Sequence, residues 1–270
     1  MNNPILDVTD LRVSYGRGRH AREVVHGVSF SIGAGRTLGL VGESGSGKST
    51  IGRAIAGLTP VSGGSIRLGG REISTLHGRA RRELAAQLQV VFQDPYSSMN
   101  PALRVADVLA EPLRVQGVTG SAAVAKAARI LDLVGLPSTA LGRYAGGFSG
   151  GQRQRLAIAR ALIAEPRVVI CDEAVSALDL SIQAQVLNLL RDLQRELGVS
   201  YLFIGHNLEV VRFISHEFVV LHDGRVEEAA PADEVLRAPQ AEYTRRLVSA
   251  ILSPDPDVQA ERRAARLPRA

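Results

Sequence analysis

Two glycine-rich runs, taken in their order along the chain, constrain its fold and chemistry more than any other feature. The first is Gly42-Glu43-Ser44-Gly45-Ser46-Gly47-Lys48-Ser49 and the second is Phe148-Ser149-Gly150-Gly151-Gln152. The first run has the G-x-x-x-x-G-K-[ST] spacing of a phosphate-binding loop. The second places a pair of glycines where a helix begins, and the carboxylate pair Asp172-Glu173 follows it. This order predicts an ATPase that closes over its nucleotide with a second, similar subunit.

The residues around the first run support a phosphate-binding loop. Thr37–Val41 predicts a buried parallel strand before the loop, and Ile51, Ile55 and Leu58 recur at helical spacing after it, with Gly57 near the end of that helix. Glycines let successive N–H groups point at one anion, and a helix N-terminus adds positive potential. A glycine-rich turn with an unrelated lysine is the alternative, which the flanking strand and helix disfavour. The predicted ATP-binding residues of this segment are Gly42, Glu43, Ser44, Gly45, Ser46, Gly47, Lys48, Ser49 and Thr50.

Four side chains carry the predicted phosphate chemistry. Lys48 is expected to contact the β and γ phosphates, and the Ser49 hydroxyl to reach Mg²⁺. Arg167–Cys171 predicts a core strand that ends at Asp172 and Glu173. Asp172 would hold Mg²⁺ directly or through water, and Glu173 would act as the general base toward the attacking water. Solvated acids at an ordinary strand exit are the alternative, which the preceding phosphate loop makes less favourable.

Other polar or aromatic residues lie at the ends of predicted strands. His206 follows the strand Val199–Ile204 and is predicted to hydrogen-bond the γ-phosphate; of the six histidines it is the one we place at the carboxyl end of a core strand. Gln93 follows Val90–Phe92 and is expected to ligate Mg²⁺ or to orient water. Tyr15 either stacks on adenine or packs on its strand neighbours. The predicted catalytic residues are Glu173, His206, Gln93 and Lys48, and the predicted metal ligands are Ser49, Gln93 and Asp172.

The second glycine-rich run predicts a second anion site. Ser149-Gly150-Gly151-Gln152 precedes Arg153–Leu162, a helix-forming stretch with an apolar stripe at Leu156, Ala159 and Leu162. Exposed amides at this helix start would attract an anion. One nucleotide cannot easily use two distant helix N-termini of one small domain. A second subunit turned head to tail would bring its Ser149 loop onto the first subunit's γ-phosphate and create two composite sites.

Taken together, these motifs resemble the nucleotide-binding subunit of an ATP-binding cassette (ABC) transporter. The resemblance implies an adenine-stacking role for Tyr15, a Q-loop at Gln93, a signature at Ser149–Gln152, a D-loop ending at Asp179 and a switch histidine at His206. It implies an α/β fold with a P-loop (RecA-like) nucleotide-binding core, a β-rich front lobe within residues 4–75 and an α-helical signature subdomain. We expect the ATP-binding core in residues 1–95 and 165–230, the helical subdomain in 96–164 and a C-terminal extension in 231–270.

A narrower resemblance concerns three segments of the chain. Phe92–Pro101, Ser176–Leu190 and Tyr243–Leu247 resemble parts of dipeptide and oligopeptide importer ATPases. This likeness implies import of peptides or similar small solutes through separate polytopic permease subunits, with an extracytoplasmic solute-binding protein as an indirect partner; relatives also carry nickel or other small solutes. It also implies a second ABC ATPase subunit as partner, with a related non-identical chain expected and a homodimer as the alternative.

Several residues depart from the pattern of those importers. Ala174 replaces a usual proline, Gly205 and Asn207 flank His206 where serine and aspartate are commoner, and Ala241-Glu242 stands where His-Pro usually precedes Tyr-Thr. The Asn207 exchange predicts a change in how the His206 loop is held. A tail cysteine cluster found in some relatives cannot form, because Cys171 is the one cysteine of the sequence.

Composition limits the location and the partners. The 270 residues are 45% hydrophobic, which suffices for a full core, yet no run is long enough to span a bilayer, and Asp7 and Asp10 interrupt any leader-like start. One cysteine fits a reducing compartment. We therefore expect a peripheral protein on the cytoplasmic face of the membrane, attached through permease subunits. The net charge is +5, which could indicate nucleic acid or anionic lipid as a partner, and Arg262, Arg263, Arg266 and Arg269 lie in a predicted solvated tail. The sequence has few aromatic residues and no Trp on which bases could stack, so no nucleic acid is expected.

The spacing of apolar residues and prolines predicts one further helix and a linker. Ser181–Leu197 predicts an amphipathic helix with Ile182, Val186, Leu189, Leu193 and Leu197 on one side and Gly198 at its end; Pro254 and Pro256 predict a loose linker.

Two other functions are alternatives to a transporter subunit. A soluble ABC ATPase acting on nucleic acid or ribosomes is one alternative, but such proteins usually carry two cassettes or long heptads. A small-molecule P-loop kinase is another, which the signature run disfavours.

Overall fold

The computed structural model describes residues 4–250 except residues 17, 77 and 95–98, and describes the backbone alone for residues 19 and 82. The described chain contains two β-sheets and a set of helices between and around their strands. Its strands are β1 (Leu6–Tyr15), β2 (Arg22–Ile32), β3 (Thr37–Val41), β4 (Gly63–Leu68), β5 (Arg71–Glu72), β6 (Leu88–Val91), β7 (Val168–Asp172), β8 (Ser200–Gly205), β9 (Glu217–His222) and β10 (Arg225–Pro231).

The smaller sheet is antiparallel, with strand order β2-β1-β4-β5. Its central strand β1 buries Leu6 and Val8, and then Leu11 and Val13, so the inward alternation skips one residue. The register shifts at that place, and Asp10 has a positive φ of 47°. A bulge with one extra residue explains the skip, because it returns the next apolar side chains to the core face.

The larger sheet carries the ends of the strands that matter for function. Its order is β10-β9-β3-β8-β7-β6; β9, β3, β8, β7 and β6 are parallel, and β10 is antiparallel to β9. Strands β3, β7 and β8 are buried along their whole length, as their continuous apolar sequences predict. Because the strands are parallel, the residues that follow β3, β6, β7, β8 and β9 meet at one edge of the sheet.

The helices are α1 (Lys48–Ile55), α2 (Gly78–Leu84), α3 (Val105–Val115), α4 (Gly120–Leu133), α5 (Gly150–Leu162), α6 (Leu180–Leu197), α7 (Leu208–Ile214), α8 (Ala232–Arg237) and α9 (Glu242–Ser249). Helices α3, α4 and α5 lie between β6 and β7 in the chain and pack on one another. The mixed α/β fold is therefore confirmed. The residue boundaries of the three proposed domains stay a prediction.

Two details of the predicted helices were wrong. The buried face of α6 consists of Val186, Leu187, Leu190, Leu193 and Gln194, whereas Leu197 is exposed. Val186 and Leu193 of the predicted stripe are buried and Ile182 and Leu189 are half-buried, whereas Leu197 is the last residue of the helix. Leu58 is also exposed, because α1 ends at Ile55 and the chain turns at Gly57.

No helix within the described residues is both long and apolar enough to cross a membrane. The C-terminal arginines Arg262, Arg263, Arg266 and Arg269 and the linker prolines Pro254 and Pro256 lie outside the described residues. The described part of the C-terminal segment forms α8 and α9, which pack on β9 and β10.

Gly39, in the middle of β3, lets α7 approach the sheet closely. A β-carbon at this position would lie 2.5 Å from Val211 Cγ1, 2.7 Å from Ser215 Oγ and 2.8 Å from Phe218 Cδ1. No real β-carbon tolerates such distances, so any larger residue would push α7 away from the strand that leads into the phosphate-binding loop.

We predict that Gly39→Ala lowers the free energy of unfolding by about 1–3 kcal/mol, because it overpacks the contact between β3 and α7. Urea denaturation of the full chain measures this change. Gly142→Ala is the matched control, because a β-carbon at Gly142 meets nothing within 4 Å. Its effect should stay within about 0.5 kcal/mol. Equal stability of the two variants would contradict the close approach of α7.

Candidate functional site

The phosphate-binding loop lies between β3 and α1, and its glycines have conformations that other residues adopt only with strain. Gly42 has a φ of 151°, and a β-carbon there would overlap the carbonyl oxygen of Leu221 at the end of β9. Gly47 has a φ of 102° and stands at the N-cap of α1. The loop therefore starts in direct contact with the neighbouring strand and ends at a helix N-terminus, the arrangement that favours anions.

Lys48 lies inside this loop and is only 5% exposed. Its Nζ donates to the carbonyl oxygens of Gly42, at 2.9 Å, and Glu43, at 2.6 Å. Burial lowers the pKa of Lys48, and the nearby carboxylates of Glu173, Asp172 and Glu43 oppose that change. The ammonium group is thus held at a fixed place by loop carbonyls, with carboxylates around it.

Ser49 and Asp172 bring two oxygen atoms together beneath the loop. The Ser49 hydroxyl donates to Asp172 Oδ1 at 2.8 Å. Burial raises the pKa of Asp172, while the bond from Ser49 and the charge of Arg53 act in the opposite direction. A hydroxyl and a carboxylate are ligands that suit a hard cation such as Mg²⁺, which needs few protein ligands when phosphate oxygens are also present. The residues present therefore fit the predicted metal.

Glu173 adopts a strained backbone conformation directly after β7. Its φ is 50°, in a region that non-glycine residues seldom occupy, and its N–H donates to the Ile204 carbonyl at 3.0 Å. The Glu173 carbonyl accepts from the N–H and the hydroxyl of Ser176. Glu173 Oε1 lies 3.3 Å from Nδ1 of His206, the residue that follows β8. The predicted general base and the predicted switch histidine are therefore direct neighbours.

The departures around His206 have structural explanations. A β-carbon at Gly205 would lie 2.7 Å from Val211 Cγ2, so glycine lets α7 start close to β8. Asn207 is the N-cap of α7, and its side-chain oxygen accepts the N–H groups of Glu209 and Val210 at 3.0 and 3.2 Å. Asparagine and aspartate are comparable N-caps, and the effect of Asn207 on how this loop is held stays a prediction.

Tyr15 lies beside the helix that follows the loop, and Gln93 lies beyond the end of β6. Tyr15 ends β1, is 42% exposed, and its hydroxyl is 3.4 Å from the Thr50 hydroxyl of α1. Its ring therefore has an accessible surface beside the phosphate-binding loop. Gln93 is exposed and stands two residues beyond the end of β6, because Phe92 lies outside the strand. Of the predicted segment that follows, residues 95–98 lie outside the described residues.

The signature run caps α5 through its own side chains. Ser149 Oγ accepts the N–H of Gln152, and Gln152 Oε1 accepts the N–H of Ser149, which forms a capping box. A β-carbon at Gly151 would lie 2.6 Å from Ile182 Cγ2 of α6, so this glycine allows close helix packing. The predicted stripe of Leu156, Ala159 and Leu162 is buried.

Asp179 has a similar capping role at the start of α6. Its carboxylate accepts the N–H of Ile182 at 2.9 Å, while the next residue, Leu180, is 83% exposed. Among the described residues, no hydrogen bond or ion pair joins Ser149–Gln152 or Asp179 to Gly42–Ser49. The structure therefore gathers the loop, Asp172, Glu173 and His206 at one place but not the signature.

Sequence analysis missed two residues beside the loop. His222 is the last residue of β9, so His206 is not the one histidine at the carboxyl end of a core strand, as we had predicted. The ring of His222 stacks on Tyr243 of α9 at a centroid distance of 4.0 Å. The Tyr243 hydroxyl accepts the N–H of Glu43 at 3.2 Å. The apolar run before His222 predicts a strand, so the position of His222 could have been predicted from the sequence. No sequence pattern predicts the contact of Tyr243 with the loop.

Comparison with known proteins decides the family. Residues 25–176 match the family model described as ABC transporter, which is more than half of the chain. The chain belongs to the ABC transporter family. A Brucella ovis protein named for peptide import and ATP binding is 46% identical over 264 residues, which cover 97% of this chain and 83% of the relative.

Two longer relatives point to the same branch of the family. The oligopeptide transport ATP-binding protein OppD of Mycobacterium tuberculosis is 48% identical over 232 residues, covering 86% of this chain and 38% of OppD. The glutathione import ATP-binding protein GsiA of Shigella dysenteriae is 47% identical over 268 residues, covering 96% of this chain and 43% of GsiA. The chain is thus an ABC ATPase of the peptide and oligopeptide importer family.

The fold comparison agrees with the sequence comparison. The ATP-binding cassette MJ0796, solved as a dimer in a post-hydrolysis state with ADP and Pi, superimposes with a TM-score of 0.74 at 26% identity. The match covers 84% of this chain and 98% of MJ0796. The present chain is therefore an ABC ATPase that hydrolyses ATP in support of transport. Its family, its relatives and its structural neighbour give no support to a soluble ABC ATPase that acts on nucleic acid or ribosomes.

Proposed function

We propose that this chain energises the import of peptides or similar small solutes through separate permease subunits. The observation that carries the proposal is the assembly at one sheet edge of the phosphate-binding loop, the Ser49–Asp172 pair and the Glu173–His206 pair. The names of the relatives, which refer to peptide, oligopeptide and glutathione transport, support the solute class.

In the proposed nucleotide site, different residues bind the adenine, the phosphates and the metal ion. Adenine stacks on Tyr15, whose ring is accessible beside α1, and the phosphates bind the N–H groups of the glycine-rich loop. Lys48 holds the β and γ phosphates from a position fixed by loop carbonyls. Ser49, Asp172 and Gln93 would hold Mg²⁺, which neutralises charge on the phosphate oxygens.

Hydrolysis in this proposal depends on Glu173 and His206. The Glu173 carboxylate accepts a proton from the water that attacks the γ-phosphorus, and the bond from that phosphorus to the bridging oxygen of ADP breaks. His206 orients Glu173 through the 3.3 Å contact and binds the γ-phosphate once nucleotide is present. Loss of the γ-phosphate removes those contacts, which gives the open and closed states different nucleotide affinities.

A second ABC ATPase subunit is proposed to finish each site. Helix α5 begins with Gly150 and Gly151, whose N–H groups we propose for the partner's phosphate, because those of Ser149 and Gln152 are paired within the capping box. Among the described residues, no hydrogen bond joins this helix start to the loop of its own chain. The exposed Leu180 beside Asp179 supplies apolar surface for a contact between subunits. We propose a related, non-identical mate, with a homodimer as the alternative; the dimeric form of MJ0796 supports dimerisation in general.

A groove between the core and the helical segment is the proposed docking site for the permease. It has a volume of about 560 Å³, and its lining combines the apolar residues Leu58, Leu84, Phe92, Pro112, Val115 and Ala161 with the charged residues Arg81, Glu111 and Arg160. Leu58 and Val115 are exposed, and Phe92 directly precedes Gln93. A permease segment seated here would sense movement at Gln93. The protein would then work as a peripheral subunit on the cytoplasmic face, with a solute-binding protein acting on the opposite side.

We predict that Glu173→Gln binds ATP normally and loses about 10²–10⁴-fold in turnover, because the amide cannot accept the proton from water. The variant should also accumulate a nucleotide-bound dimer, which size-exclusion chromatography with ATP detects. Normal turnover by Glu173→Gln would remove this residue from the role of general base.

Ser149→Arg is expected to abolish hydrolysis while the ATP affinity of the monomer stays near that of the wild type. The bulky cation would block the seam where the neighbouring subunit's γ-phosphate binds, but it would leave the loop of its own chain untouched. Turnover assays and titration with ATP at low protein concentration measure the two effects. An equal loss of monomer affinity would mean that Ser149 serves the nucleotide of its own chain.

Docking at the groove predicts which variants keep the permease. Gentle detergent extraction of the native complex, followed by identification of its components, tests this prediction. Wild-type chain should be recovered with polytopic permease subunits, whereas Val115→Glu should lose them and keep its ATP affinity, because a charge replaces an exposed apolar side chain of the groove. Val124→Glu is the matched control, since Val124 is 56% exposed and Val115 57%, but Val124 does not line the groove. Permease recovered equally with both variants would contradict docking at this site.

A further inference from the structure

One peptide unit of the phosphate-binding loop is held at both ends. The Gly42 carbonyl accepts from Lys48 Nζ at 2.9 Å, and the N–H of Glu43, on the same peptide plane, donates to the Tyr243 hydroxyl at 3.2 Å. Because a trans peptide is planar, its N–H and C=O point in opposite directions. Two bonds on opposite sides therefore fix the rotation of this plane, and with it the place of the Lys48 ammonium.

Tyr243 reaches the loop from a well-supported position. Its ring stacks on His222 with an interplanar angle of 20° and a centroid distance of 4.0 Å. His222 belongs to β9, and the preceding residue, Leu221, supplies the carbonyl oxygen against which Gly42 is packed. The start of the loop thus lies between β9 and α9, so that a change in either element acts on the Gly42–Glu43 peptide.

The start of α9 is itself tied to the sheet. Glu228 of β10 accepts the N–H groups of Gln240 and Ala241, each at 3.0 Å, just before α9 begins. Burial would raise the pKa of Glu228, but these two bonds, together with the Thr244 side chain and the charge of Arg245, outweigh it, and the pKa lies below its usual range. Thr244, one residue beyond Tyr243, is fully buried. The tyrosine hydroxyl is therefore delivered by a helix that is anchored on both sides of it.

We infer that Tyr243 is a positioning residue of the ATP site, which acts on nucleotide binding by fixing the Gly42–Glu43 peptide and thereby Lys48. It touches no reacting atom in this role. The inference rests on the proposed use of the loop as the phosphate site and adds a residue from the C-terminal segment to it. A loop that is fixed before the ligand arrives loses less conformational freedom on binding, which raises affinity.

The test is Tyr243→Phe in the full chain, because it removes the hydroxyl and keeps the ring that stacks on His222. We expect the KM for ATP to rise about 2–10-fold, the range that corresponds to one ordinary hydrogen bond, while kcat at saturating ATP changes less than about twofold. Hydrogen exchange of a peptide that covers residues 42–49 should become faster, because the Glu43 N–H loses its partner.

Tyr201→Phe is the matched control. The Tyr201 hydroxyl bonds the Leu190 carbonyl at 3.1 Å in the core, at the opposite end of β8 from the site. This variant should lose stability without a change in KM or in exchange of residues 42–49. An equal rise of KM in both variants would reduce the Tyr243 effect to general destabilisation and overturn the inference.

Comparison of Tyr243→Phe with Lys48→Ala distinguishes a failure of the Tyr243 role from a failure of the proposed phosphate site. If Lys48→Ala abolishes ATP binding and Tyr243→Phe has the KM and exchange rates of the wild type, the phosphate site stands and the role of Tyr243 is refuted. If Lys48→Ala binds ATP as the wild type does, the proposed phosphate site itself fails. Faster exchange together with a raised KM in Tyr243→Phe alone supports the positioning role.

Discussion

The parallel pairing of β3, β8 and β7 is the constraint on which the rest of the structure depends. These strands are buried throughout and their carboxyl ends meet at one edge. The phosphate-binding loop, Asp172 and His206 follow directly from those ends, so their mutual positions are set by backbone hydrogen bonds of the core. Charged groups such as Lys48 and Asp172 become partly desolvated there, which opposes ionisation of each and makes a compensating anion or cation favourable.

The same edge concentrates backbone strain. Gly42 occupies a conformation reserved for glycine, and Glu173 has a positive φ although it carries a long side chain. The core stabilises these conformations because Leu221 and Ile204 contact them from neighbouring strands. Strain of this kind would keep the Glu173 carboxylate aligned with the phosphate-binding loop in the proposed cycle of subunit closure. The signature run, in contrast, forms an ordinary capping box at the start of α5.

Much of this site could be predicted from sequence, because it consists of short local patterns. The strand before Gly42, the strand before Asp172 and the N-terminus of α5 are encoded by neighbouring residues. The contact of Tyr243 with Glu43 spans 200 positions and has no local signal. The buried face of α6 was misplaced for a related reason: which side of a helix is buried depends on the elements that cover it. The capping by Asn207 was readable but was not recognised.

The central claim is that each active centre is completed by a neighbouring subunit. Its most direct test is turnover per chain measured over a dilution series, with the fraction of dimer determined by analytical ultracentrifugation on the same samples. The account predicts that ATP turnover falls in proportion to the dimer fraction while nucleotide remains bound to the monomer. Full turnover in a sample that is entirely monomeric would contradict it.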